Sequence, residues 1–388
     1  MLMASRFPSV LMVLDSVFPA VGGGGAESQV RTLSLELLAR GIPVSVVVPM
    51  AKHGPQLAHE NVDGIPVRRL AYPKLPLFGA AWMLFSLACL LVRSRHRYDV
   101  IHSHIAGNMS AVCCVVGRLL DKPVLVKLTG MTEMRGGILD SAPGAGARIR
   151  RVAIGRADSF QATSSRIAAL LVARGFSSNR VRLIPNAVDT RRFAYDREDL
   201  ALKRSLCGAC RVTGIYVGRL EAEKGLETLL QGWAKVFHGR NDAVLLIVGG
   251  GSSRADLQSM AESLGIASQI RFLGATGVVE KYLQLADFGV LTSLHEGLSN
   301  TLLEYMAAGL PVLGSRVSGT EDFVINGQTG WLFSPGDIEA FADSLLHASN
   351  AGAEELCKLG QQAREFVVGR ASIAAVVDQL LLVYGQRG

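Results

Sequence analysis

The sequence predicts an α/β protein made of two doubly wound, Rossmann-like halves. Three observations predict it. Short apolar runs alternate with helical patterns from residue 10 onward. The runs are continuous and β-branched, as the strands of a parallel sheet covered on both faces must be. The pattern breaks once, at IPNAVDTRRFAYDRED (184–199), a polar, charged, turn-rich stretch that reads as a linker, and then restarts. The length of 388 residues also exceeds what one core ordinarily serves.

In the first half the runs fall at 10–14, 44–48, 100–102, 124–128 and 159–162. Between the first two lies GGGGAE (22–27), then a helix with Val30, Leu33, Leu37 and Leu38 on one face, stopped at Gly41. In the second half the runs fall at 214–217, 244–248, 270–273, 288–291 and 311–313. Ligands of such sheets sit beyond the carboxyl ends of the strands. Two halves facing each other would therefore frame a cleft, with one ligand from each.

Composition narrows the class. At 49% hydrophobic and 19% charged residues the chain is not disordered, collagenous or coiled-coil material. Its six cysteines (89, 113, 114, 207, 210, 357) are too scattered for a disulfide scaffold, and Cys207-x-x-Cys210 lacks the second pair of a structural zinc site. A reducing cytosol is the default location. The amino terminus, MLMASRFPSVLMVLDS, lacks the charged region, long apolar core and cleavage site of a signal peptide.

Charge divides unevenly. Residues 1–190 carry 22 Lys and Arg against 11 Asp and Glu, whereas residues 191–388 carry 18 against 22. A basic first half suits nucleic acid, an anionic membrane surface or a phosphorylated substrate. Nucleic acid has only charge behind it, because no recognised binding signature occurs and aromatics are 6%. The stretch LPLFGAAWMLFSLACLLV (75–92) is uncharged and is followed by RSRHR. It reads either as a buried helix or as a helix lying in a membrane plane with a basic fringe. A full span is the weaker reading, since strand-like sequence resumes within a few residues.

Four motifs carry candidate chemistry. The loop Gly22-Gly23-Gly24-Gly25 joins a strand to a helix, where bare backbone can approach a phosphate. It is neither a Walker loop nor a dinucleotide fingerprint, because Glu27 stands at the third glycine position. A plain flexible loop fits equally. In GRLEAEKG (218–225), Arg219 and Lys224 follow a strand and could clamp a diphosphate, although Glu221 and Glu223 also suit a solvated turn. In HEGLSNTLLEYMAAGLPV (295–312), Glu296 precedes a helix predicted over 298–308, and Glu304 lies one to two turns inside it among apolar neighbours. An acid there could take the hydroxyls of a ribose, and the amides of the first turn could take phosphate. Finally, His102 and His104 share one face of a strand. One polar histidine facing the cleft is favoured over a metal pair, for want of a third ligand.

In this order the motifs resemble the retaining family-4 glycosyltransferases of the GT-B fold. The resemblance runs through GGGGAE (22–27), YDVIHSH (98–104), ADSFQATSS (157–165), VRLIPNAVDTRRF (181–193), YVGRLEAEKGLETLL (216–230), LLIVGGGSSRADL (245–257), HEGLSNTLLEYMAAGLPVLGSRVSG (295–319) and NGQTGWLF (326–333). It implies an acceptor-binding domain over 1–188 and a nucleotide-sugar domain over 189–370, with a final helix (371–388) packing back on the first. Gly218, Arg219 and Lys224 would hold the donor diphosphate, and Glu304 its ribose. Glu296 would sit by the donor sugar, with the backbone of Gly297, Leu298, Ser299, Asn300 and Thr301 on sugar or phosphate. Gly23 and Gly24 would approach the donor phosphate, and His104 the donor sugar. Glu296, His104, Arg219 and Lys224 are thus the expected catalytic set.

The implied activity is hexosyl transfer from a UDP- or GDP-sugar to a sugar or lipid-linked acceptor, in cell-surface polysaccharide or glycolipid synthesis. No metal or cofactor is expected, and the implied place is the cytoplasm, peripheral on the inner face of the plasma membrane. Rival readings are a nucleotide-sugar 2-epimerase of the same fold and a non-catalytic nucleotide-sugar binding module. The chain departs from the family at Asn186-Ala187-Val188-Asp189, where glycine is usual second, and at Leu128-Thr129-Gly130, where many members carry histidine.

Overall fold

A computed structural model describes residues 8–19, 24–50, 56–75, 77–130, 133, 137–140, 144–194 and 199–385. The chain divides into two compact units, Met1–Ala187 with Ile373–Gly388, and Val188–Ser372.

Unit 1 runs β1 (Val10–Leu14), α1 (Gly25–Ala39), β2 (Val44–Pro49), β3 (His59–Val62), β4 (Ile65–Leu70), α2 (Phe78–Arg93), β5 (Val100–His104), α3 (Asn108–Leu119), β6 (Val124–Leu128), α4 (Ala145–Ile154), β7 (Ser159–Ala162), α5 (Ser165–Ala173) and β8 (Val181–Leu183). The eight strands lie in the order β3-β4-β2-β1-β5-β6-β7-β8, and every pairing except β3 with β4 is parallel. Side chains alternate across the sheet. Val10, Met12 and Leu14 point to one face, which is covered by Val30, Leu33 and Leu37 of α1. Leu11 and Val13 point to the other, under α2, α3, α4 and α5.

Residues 373–385 form the last helix of the chain, Ile373–Gly385, whose Val376, Val377, Leu380 and Tyr384 are buried in the core beneath α1. The hairpin β3–β4 falls outside the apolar runs read from the sequence. Asp63 and Gly64 both take positive φ, 54° and 87°. Such an Asp-Gly pair makes the tight turn that matches strand twist.

Unit 2 runs α6 (Leu200–Cys207), β9 (Val212–Val217), α7 (Leu226–Phe237), β10 (Ala243–Val248), α8 (Arg254–Ser263), β11 (Ile270–Gly274), α9 (Val279–Leu283), β12 (Phe288–Leu291), α10 (Asn300–Ala307), β13 (Val312–Ser315), α11 (Thr320–Phe323), β14 (Gly330–Phe333), α12 (Ile338–Asn350) and α13 (Ala353–Ala371). In order along the chain, the last helix is α14. The all-parallel sheet reads β11-β10-β9-β12-β13-β14. One face packs Trp233, Phe237, Phe341 and Leu345, the other Leu302, Met306, Ala363 and Val367. The predicted helix 298–308 is shorter because Ser299 leaves the helical conformation to cap it. Strand β14 was not predicted as a strand; it is four residues with a glycine at its start.

The segment read as a polar linker is anchored at both sides of the unit boundary. Ile184 and Ala187 are buried in unit 1, and the Gln29 side chain brackets Ala187, donating to its carbonyl at 2.8 Å and accepting its amide at 2.7 Å. Val188 and Phe193 are buried in unit 2.

Because α14 completes the core of unit 1, a chain ended after residue 372 should lose hydrogen-exchange protection across β1, β2 and β5. Unit 2 strands should stay protected. Equal loss in both units would show that α14 is not specific to unit 1.

Candidate functional site

In unit 2 the strand order reverses between β9 and β12, which makes the carboxyl ends of these strands the expected ligand crevice. Gly218 and Arg219 follow β9. Backbone approaches backbone here: a Cβ on Gly249 would collide with the Gly218 carbonyl. The Tyr216 hydroxyl donates to the Arg219 carbonyl at 2.8 Å and steadies the turn. Lys224 then forms an ion pair with Glu296, and both side chains are largely buried. The Thr292 hydroxyl donates to the Lys224 carbonyl at 3.0 Å. Gly225 turns the chain into α7 with φ 62°, and a Cβ there would strike the Thr292 carbonyl.

Arg219 is exposed and pairs with Glu223 at 2.8 Å. Glu221 accepts from the Ser252 hydroxyl at 2.7 Å and its amide at 3.1 Å. The two candidate clamp cations are therefore each matched by a carboxylate, one pair exposed and one sheltered. An exposed pair of this kind contributes about 0–1 kcal/mol, so an entering phosphate can replace its carboxylate at small cost.

Gly297 and Leu298 are buried beneath Gly319, whose φ of 78° and close approach to the Gly297 carbonyl leave no room for a side chain. The Ser299 hydroxyl caps α10 by accepting the Leu302 amide at 3.4 Å, and Asn300 and Thr301 form its first turn. Glu304 is partly buried in the next turn. Burial raises its carboxyl to about 7 against the pull of Arg192, with Glu280 adding to the rise. Arg192 is itself held by Glu280 at 2.8 Å and the Gly277 carbonyl at 2.7 Å. Glu304 is thus poised between a hydrogen-bond donor and an acceptor near neutrality.

In unit 1 the reversal lies between β1 and β5. Gly24 is the cap of α1, and Glu27 folds back against it while accepting the Ser16 hydroxyl. The carboxylate thus occupies the helix start that a phosphate would use. Gly23 lies outside the described residues.

His104 is the last residue of β5 and is buried. Its ring stacks on His102 with centroids 4.2 Å apart. The Gln161 amide nitrogen donates to the Ile184 and Pro185 carbonyls, leaving Oε1 as acceptor. That fixes the proton of His102 on Nε2, 3.1 Å from Gln161, so Nδ1 accepts from the Tyr384 hydroxyl at 2.7 Å. Burial and then Lys127 depress His102 to about 3; burial, His102 and Lys127 hold His104 well below its ordinary value. Both rings are neutral. Among the described residues, no three His, Cys, Asp or Glu side chains gather as a metal site.

Two residues escaped the sequence reading. Lys127, in the apolar strand VLVKL, is fully buried; its charge in that company was the available signal. Glu133 is buried and accepts the amides of Ala106 (3.2 Å), Thr129 (3.1 Å) and Gly130 (2.8 Å), tying together the ends of β5 and β6. No local pattern announced it.

Comparison with known proteins follows the same division. Residues 23–192 match the Glycosyltransferase Family 4 profile, and residues 211–351 match Glycosyl transferases group 1. A 2-deoxystreptamine N-acetyl-D-glucosaminyltransferase of Streptomyces fradiae is 30% identical over 95% of this chain and 89% of its own. An Escherichia coli UDP-Gal:alpha-D-GlcNAc-diphosphoundecaprenol alpha-1,3-galactosyltransferase is 28% identical over 53% of this chain and 54% of its own. The crystal structure of Anabaena HepE in complex with UDP superposes with a TM-score of 0.78 at 18% identity, covering 97% of this chain and 99% of that one.

The pH dependence of Glu304 is testable without substrate. Its folded value of about 7 exceeds the ordinary 4.5, so the fold holds this proton more tightly than the unfolded chain does. The resulting stability is complete below 4.5 and is lost as pH rises through 7. Glu304→Gln keeps it, so the variant should outgrow the wild type in stability as pH rises, by up to about 3 kcal/mol. A difference that stays flat from pH 4 to 8 would refute the burial of this acid.

Proposed function

The chain belongs to the glycosyltransferase family that these matches describe, and on that footing we propose that it is a retaining hexosyltransferase using a nucleoside-diphosphate sugar, UDP- in preference to GDP-. The observation that carries this is the grouping at one switch point of two exchangeable cation–carboxylate pairs, Arg219–Glu223 and Lys224–Glu296, with the near-neutral acid Glu304 on the adjoining helix.

Each part has a role in this reading. An entering diphosphate takes Arg219 and Lys224 and neutralises the charge that develops as the nucleotide leaves. Gly218 and the turn 297–301 bring backbone to the phosphates or sugar. Glu304 takes the ribose hydroxyls. Glu296, released from Lys224, is free to hydrogen-bond the donor sugar, and the neutral imidazole of His104 serves the same sugar. The leaving phosphate guides front-face attack, so positioning and charge stabilisation supply the rate and no metal is required. UDP in the Anabaena structure supports the choice of base.

The acceptor in this reading is a sugar or a lipid-linked sugar of a bacterial cell-surface polysaccharide or glycolipid. A diphosphoundecaprenol-linked acceptor in the name of the E. coli relative supports it. The surface of unit 1 supports it further. No helix among the described residues is long and apolar enough to cross a membrane. Yet α2 exposes Phe78, Trp82 and Phe85 while burying Leu87, Leu90 and Leu91. Leu119 of α3 and Ile149 and Val152 of α4 are also exposed, α3 packing against α2 and α4 against α3. Arg93 ends α2, Arg95 and Arg97 follow it, and Arg148, Arg150 and Arg151 lie on α4. Exposed aromatics with a basic surround suit an anionic bilayer face, which would hold the enzyme on the inner leaflet.

The test of function is a donor screen followed by transfer assays. UDP should bind, Arg219→Ala and Lys224→Ala should each weaken it about tenfold or more, and product should keep the donor's anomeric configuration by NMR. EDTA should leave the rate unchanged. Inverted product or strict chelator sensitivity would overturn the proposed mechanism.

The surface is tested separately by vesicle sedimentation. Binding to vesicles containing phosphatidylglycerol should exceed binding to phosphatidylcholine alone, and Trp82→Ala with Phe85→Ala should abolish most of it. Equal sedimentation of variant and wild type would exclude this face.

A further inference from the structure

Among the buried polar atoms of unit 1 that the described residues leave without a hydrogen-bond partner are Nζ of Lys127 and both ring nitrogens of His104. Buried polar groups are nearly always satisfied, and an unpaired buried ammonium is among the costliest exceptions. The fold does not require it. Lys127 sits between Val126 and Leu128 in a fully buried strand, where an apolar side chain would pack.

The three nitrogens belong together. Register pairs His104 of β5 with Lys127 of β6, so both side chains leave the same face of the sheet. They do so at the carboxyl ends of the strands, beside the reversal of strand order. His102 backs the pair, and its own nitrogens are taken by Tyr384 and Gln161.

The carboxylates at this end are engaged elsewhere. Glu27 of α1 accepts the Ser16 hydroxyl, Asp15 accepts the Met109 amide, and Glu133 accepts three loop amides. Among the described residues, the titratable groups that act with Lys127 are His104 and His102 of β5, both neutral, with Tyr384 of α14 behind them. Burial alone depresses the Lys127 amine, to about 7.

We propose that Lys127 and His104 form an oxyanion subsite, which receives a phosphate or carboxylate group of a bound substrate. The proposal rests on the reading that unit 1 binds substrate at the carboxyl ends of its strands. The ammonium and one imidazole N–H donate to the anion, which supplies the partners the fold withholds. Binding is proton-linked. The anion raises the Lys127 value above that of the free state, so affinity is complete below about pH 7 and falls as pH rises, by about tenfold per unit.

The experiment is isothermal titration of the full chain with inorganic sulfate, which does not titrate in this range, from pH 6 to 9 at constant ionic strength. It is run on Arg219→Ala, to weaken the donor clamp of unit 2, and on Arg219→Ala with Lys127→Met. The first should bind sulfate with the stated pH slope and take up protons from buffer above pH 7. The second should lose at least about tenfold in affinity and lose the slope. Lys127→Met alone should keep or raise Tm, because it removes an unpaired buried charge. UDP titration of Lys127→Met then identifies the source of the anion: weakened UDP binding assigns it to the donor diphosphate, unchanged binding to the acceptor. Sulfate and UDP binding both indifferent to Lys127→Met would overturn the subsite, as would a clear fall in Tm, which would make Lys127 structural. Failure of the donor reading is distinguishable, since it would show as UDP binding indifferent to Arg219→Ala.

Discussion

Apart from the β3–β4 hairpin, both sheets are built of parallel strands, and a parallel sheet has to be covered on both faces. Nearly every feature of this chain follows from that constraint. It demands apolar strands, sets helices on each side, and leaves the strand ends as the places where polar chemistry reaches the surface. The exceptions are therefore informative. His102, His104, Lys127 and Gln161 stand in buried strands on a single face of unit 1, among side chains that are otherwise apolar. Polar residues in such a position cost folding energy unless each finds a partner, and here only two of the four are fully provided for by the protein itself.

Unit 2 handles charge differently. Arg219 and Lys224 are each paired with a carboxylate, one pair exposed and one sheltered, so the two cations carry little net field. A diphosphate carries more negative charge than either carboxylate and offers more acceptor oxygens. It can displace them without requiring new cations. Glu304 adds a group whose ionisation is near balance, so a polyol that donates and accepts hydrogen bonds finds the acid ready in either state.

The alternation of apolar runs and helices made both sheets legible, because the two periodicities are physical consequences of burial. Arg219, Lys224, Glu296 and Glu304 stood out by their position after strands and at a helix start, but spacing alone left Arg219 and Lys224 as a charged turn, and the roles expected of all four came from the resemblance. What escaped depended on long-range pairing. Lys127 matters through its register with His104 on another strand, and Glu133 through amides on two separate loops. The hairpin β3–β4 escaped for another reason: its strand of charged and polar residues, HENV, carries no apolar signal, and only the Asp63-Gly64 turn betrays it. The stretch 184–199 misled because a polar sequence hides four buried anchors, Ile184, Ala187, Val188 and Phe193.

Tyr384 completes the hydrogen bonding of His102, and α14 fills the core under α1, so unit 1 lacks part of its interior during synthesis until residues 373–385 follow. Unit 2, whose residues are contiguous from Val188 to Ser372, has no such wait. The later unit can close first, while the earlier one must hold an open apolar face through translation of everything between. That interval exposes apolar surface of the kind that chaperones shield.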